Sequence, residues 1–170
     1  MFEHPTRLSR RKALQKLGAA ALALPMALPL AAFRLEDMPL DLKAERKAQM
    51  SLPKSTDPLW ALLSRCPVRQ DPKTGLYSLT LTPAVRALAG KKQRVSGFTL
   101  PLDGQDRTRH FLIGRLTPVC FYHPPGEPNE VIEVLARKAV TWTSKPQAVE
   151  GTFTLVNDRE MGVFFRLTDA

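Results

Sequence analysis

The chain has 170 residues, 44% hydrophobic and 24% charged, and its 25 Lys and Arg outnumber 16 Asp and Glu for a formal charge of +9. This composition is globular, which excludes a disordered or collagen-like chain, and two cysteines exclude a scaffold built from disulfides. Much of the charge is local: residues 1–32 hold five bases and one acid, so removing them leaves 20 bases, 15 acids and a net +5. That is an ordinary solubility charge, and nucleic acid is not expected as a partner.

At the N-terminus, Ser9-Arg10-Arg11-Lys12-Ala13-Leu14 places a basic region ahead of an apolar run from Leu17 to Ala32, interrupted by Pro25 and Pro29. The run falls short of the roughly 20 residues that span a bilayer. Residues 1–32 therefore read as a signal peptide of the twin-arginine type, which exports folded proteins, and the expected location is the periplasm. Ala13 stands where that signal usually carries Phe. Leu30-Ala31-Ala32 ends in small residues but lacks one at the third position back, so cleavage and an uncleaved N-terminal anchor both stay open. Contact with the membrane is expected to be peripheral at most.

Residues 33–56 are charged and carry Pro39 and Pro53, the composition of a linker, with a short helix around Asp41 to Met50. Subtracting residues 1–32 leaves 138, enough for one core and too few for two, so residues 57–170 form a single domain. Asp57-Pro58 is an N-cap followed by a good first helical residue, and Asp57 to Arg65 is expected to be a short helix burying Trp60 and Leu63. A strand over Leu76 to Leu81 follows the turn at Gly75. Thr82-Pro83 repeats the cap signal, and Ala84 to Ala89 closes at Gly90.

Beyond Gly90 the apolar period becomes two. Arg94 to Pro101, Arg109 to Leu116, Glu130 to Arg137, Ala148 to Val156 and Gly162 to Thr168 all alternate as strands. Gly97 and Gly151 sit inside two of them, where a strand bends sharply. Short strands, mid-strand glycines and few helices give a mainly β fold, expected to be a small OB-like closed barrel with one or two short helices. A β-sandwich is the alternative.

Several residues occur in a recognisable order: Trp60-x-x-Leu63, Ala89-Gly90-Lys91, Val95-x-Gly97-Phe98-x-x-Pro101-Leu102, Phe111-Leu112, Cys120 before a proline turn, and Val131-Ile132-Glu133-Val134. This order resembles the bacterial family catalogued as domain of unknown function 3299, from about Trp60 to the C-terminus. The resemblance implies an exported protein, often encoded beside ABC transporter components and in some members with zinc-responsive genes, with no established enzymatic activity. Members commonly place a His two residues after the Cys, or a second Cys three after it. This chain has Tyr122 and His123 there, so a ligand role passes to His123 by chemical analogy.

Candidate chemistry concentrates in Cys120–Asn129, which joins a thiol, an imidazole and three prolines. Cys120 and His123, with His110 from the preceding strand, are the candidate metal ligands, and such donors suit Zn²⁺ over Mg²⁺ or Ca²⁺. Two bland readings compete. The prolines and Gly126 shape a loop around a buried Cys120, or Cys66 and Cys120 form a disulfide in an oxidising compartment. No G-x-S-x-G, H-E-x-x-H, phosphate-binding or dinucleotide signature is present, so nothing in the sequence supports an enzyme. Three functions follow: a periplasmic accessory or binding protein for metal-linked ABC transport; a ligand-free module docking an inner-membrane partner; and a thiol-dependent enzyme using Cys120.

Overall fold

The computed structural model describes residues 42–120 and 123–170; the signal-peptide reading of residues 1–32 lies outside the described residues, as do Phe121 and Tyr122. No helix among the described residues is long and apolar enough to cross a membrane. Helix α1 (Leu42–Met50) comes first, and α2 (Pro58–Leu63) begins where the cap signal places it. Asp57 Oδ1 accepts the Leu59 N–H at 2.9 Å, and its second carboxylate oxygen accepts the Ser96 N–H at 2.8 Å. One side chain thus starts the helix and ties it to the barrel. Trp60, 1% exposed, donates from Nε1 to Ser96 O at 2.8 Å.

A small hairpin follows, β1 (Val68–Gln70) against β2 (Tyr77–Leu79), then α3 (Pro83–Arg86), capped by Thr82 accepting the Val85 N–H. The sequence pattern carries no sign of β1. The strand expected over Leu76 to Leu81 is shorter, because Thr82 is already committed to capping α3.

The barrel comprises β3 (Lys92–Pro101), β4 (Arg107–Gly114), β5 (Val131–Thr141), β6 (Gln147–Asp158) and β7 (Val163–Thr168). Its order is β3-β4-β5-β7-β6, with β6 returning to β3. β5 and β7 are parallel and the other neighbours antiparallel, which is the OB arrangement and settles the choice against a β-sandwich. β3 serves two partners: Lys92–Gly97 pairs with β6, and Phe98–Pro101 with β4. Gly97 sits at the switch. A Cβ there would lie 2.5 Å from Gly114 O and 2.9 Å from Ile113 Cγ1, so only glycine lets the strands approach.

Phe111, Ile113, Ile132, Val134, Phe153, Phe165 and Leu167 are fully buried, with Phe153 and Phe165 ring centroids 5.6 Å apart. Each such side chain contributes about 1.5–3 kcal/mol relative to exposure. Trp60, Leu63 and Val85 join the same core from the helices.

Within the segment of linker composition, the described part is docked on the barrel. Gln49 is 3% exposed and donates to Thr117 O at 3.0 Å. Ser55 N–H donates to Arg115 O at 2.8 Å, and Lys54 bridges to Leu116. Polar bonds rather than apolar burial hold this stretch, so its composition resembles that of a tether.

Candidate functional site

The connection from β4 to β5 is closed at its base, and its residues 125–130 are tied down by hydrogen bonds and proline contacts. Arg115 N–H donates to Glu130 O at 3.0 Å, and the Arg115 guanidinium meets the Glu130 carboxylate at 3.0 Å. Within the turn, Glu130 N–H donates to Glu127 O at 2.7 Å. Asn129 Nδ2 donates to Cys66 O at 2.9 Å and to Ser64 O at 3.3 Å, pinning the loop to the end of α2. Pro125 is buried over Gly114, where a Cβ would come within 2.6 Å of the proline ring. Pro128 is held in the same way over Gly162, whose φ of 67° suits glycine.

This fixed loop walls a groove of about 870 Å³. The opposite sides come from Arg46 and Gln49 of α1, Val68 and Gln70 of β1, Tyr77 of β2, and Met161 in the β6–β7 turn. Arg46 and Glu127 form an ion pair at 2.8 Å across one end. The hairpin wall is itself rigid: Asp71 Oδ1 accepts the N–H groups of Lys73 at 2.8 Å and Thr74 at 3.2 Å. These backbone bonds hold the Asp71 carboxyl below its ordinary range.

Of the sequence-derived candidates, His123 lines this groove. Cys120 instead lines a separate cavity of about 120 Å³, beside Phe98, Leu100 and Trp142. His110 projects from β4, and its Nε2 lies 2.7 Å from one Glu133 oxygen while Arg166 holds the other at 2.7 Å. Among the described residues no three His, Cys, Asp or Glu side chains cluster as metal ligands. Cys66 and Cys120 are not bridged in this structure; Cys66 is fully buried, with its Sγ 3.9 Å from Thr82 Oγ1. Sequence reasoning missed Arg46, Tyr77 and Met161. No local signal marks them, because only folding brings them to the loop.

The fold is an OB-type barrel with a groove beside the β4–β5 connection. The chain belongs to the family described as protein of unknown function (DUF3299), whose model matches residues 38–164. It is similar to a crystal structure of a DUF3299 family protein from Pseudomonas aeruginosa PAO1, with 24% sequence identity and a TM-score of 0.45. That alignment covers 54% of this chain and 63% of the other, so the chain spans less than two thirds of its relative's length. No curated protein matches the chain.

Proposed function

We propose that the protein is an exported binding module of the periplasm, and that its partner docks in the groove beside residues 123–129. The observation that supports this is the loop's fixation. Asn129, Pro125 and Pro128 hold the groove wall in one conformation before any ligand arrives. A surface ordered in advance avoids the ordering cost of binding. The signal read at Ser9–Leu14 supports the compartment, and the family resemblance supports an inner-membrane transport component, such as an ABC transporter, as partner. Zn²⁺ enters the proposal only as a weak ligand of the groove through His123, because Cys120 lines a separate cavity and a structural site takes four donors.

A photo-crosslinking residue at Met161, which is 59% exposed at the groove, is expected to form a discrete adduct in the periplasm. The same residue at Lys92, exposed on β3 and not part of the groove wall, is expected to form none. Equal adducts from both sites, or none from either, would remove the groove from the proposal.

A further inference from the structure

The β1–β2 hairpin has one closed edge and one open edge. Thr80 N–H donates to Pro67 O at 2.9 Å, and Asp71 N–H donates to Leu76 O at 3.0 Å. Between those pairs the register sets Arg69 against Ser78. Residues 67, 69 and 71 therefore direct their backbone groups at β2. In an antiparallel ladder the alternate residues, Val68 and Gln70, turn N–H and C=O to the opposite side. The same alternation turns Tyr77 outward from β2, and there the edge is closed. Tyr77 N–H donates to Arg159 O at 2.8 Å, and Arg159 Nε donates to Tyr77 O at 3.1 Å.

Among the described residues nothing equivalent covers β1. The sheet has two strands, and among the described residues no hydrogen bond reaches the outward backbone groups of Val68 and Gln70. These two residues are the ones that line the groove. Arg69 has the opposite parity, is exposed, and makes no ion pair among the described residues. An open edge with paired donors and acceptors is a template for an extended backbone.

We propose that an extended segment of a partner protein adds to β1 as a third, antiparallel strand lying along the groove. The inference rests on the groove reading above and supplies its partner class. Residues opposite Val68 and Gln70 share their face and meet Tyr77, Val131 and Met161, so they are apolar. Residues opposite Arg69 are acidic, because opposite charges across a strand pair attract. The brevity of β1 and Pro67 at its start limit unselective pairing through the backbone alone.

The test uses the full chain and a fluorescent peptide of alternating valine and glutamate. N-methylation of the valines, whose N–H groups face β1, is expected to weaken binding about tenfold or more, as loss of backbone hydrogen bonds requires. N-methylation of the glutamates is expected to leave binding unchanged. Gln70→Pro removes an outward N–H that β2 does not use, so the hairpin stays paired while the peptide is lost. Absent binding, equal effects of the two methylation patterns, or full binding to Gln70→Pro overturns strand addition. So does a dimer of the free chain that Gln70→Pro dissolves, since the edge would then serve a second copy. If strand addition fails while the Met161 adduct persists, the groove reading survives; loss of that adduct removes the groove itself.

Discussion

Replacing Gly114 with alanine asks whether the 123–129 loop is held by contact or only by its ends. A Cβ at Gly114 would lie 2.6 Å from Pro125 Cγ, 3.0 Å from its Cβ and 3.3 Å from its carbonyl oxygen. Carbon atoms rest about 3.5–4.0 Å apart, so the ring must retreat by about 1 Å. Pro125 is buried and its ring has no rotamer to relax into, so the loop backbone carries the displacement. Adding a methyl group to a packed site of this kind costs about 1–3 kcal/mol. With a urea m-value of about 1–3 kcal/mol/M, a loss near the middle of that range lowers the unfolding midpoint by about 1 M. Pro125→Ala removes the closest ring atom, so the double mutant is expected to lose less than the sum of the single losses, by about 1 kcal/mol. Urea unfolding of the four proteins in this cycle decides the matter. An unchanged midpoint for Gly114→Ala, or full additivity with Pro125→Ala, would show that the contact does not hold the loop.

Three further predictions follow from separate features. The Asp103 carboxyl is held below its ordinary range chiefly by the Thr108 hydroxyl, which donates to it at 2.7 Å. A depressed carboxyl stabilises the fold above its unfolded pKa and loses that contribution as pH falls through the folded value, so Thr108→Val should raise the Asp103 pKa measured by NMR; an unmoved titration contradicts the assignment. Zn²⁺ titrated into reduced protein should bind weakly, lose binding in His123→Ala, and bind less as pH drops and the donors take up protons. Tight stoichiometric binding that survives His123→Ala would place the ligands elsewhere. Fusing residues 1–40 to a reporter should carry it across the inner membrane, and Arg10→Lys with Arg11→Lys should stop it; a cytoplasmic wild-type fusion would end the periplasmic reading.

Much of the fold was legible because its signals are local. Asp57-Pro58 and Thr82-Pro83 start helices through hydrogen bonds to residues two or three positions on, so neighbouring letters suffice to find them. Alternation over the β3–β7 region marks which side chains face the core, and Phe111, Phe153 and Phe165 are all buried there. Gly97 and Gly151 read as sharp bends in two strands, and the structure adds close strand approach there, since a Cβ at either would meet a backbone oxygen at 2.5 Å or 2.7 Å. Together these patterns were enough to anticipate a small closed barrel.

Tertiary structure alone decided the rest. The three residues of β1 carry no strand signal of their own and become a strand by pairing with β2. Helix α1 is charged enough to resemble a linker, yet Arg46 bonds to Glu127 and Gln49 to Thr117, which docks it. Cys120 and His123 are three positions apart, yet they line different cavities, because residues 117–120 cover β3 while residues 123–129 turn toward the hairpin. The groove is assembled from Arg46, Val68, Tyr77, His123 and Met161, residues brought together from five separate stretches of chain. Caps, alternation and glycine sterics act between near neighbours and are written in the sequence. A binding surface depends on which distant segments the barrel brings together, and that is set only when the strands close.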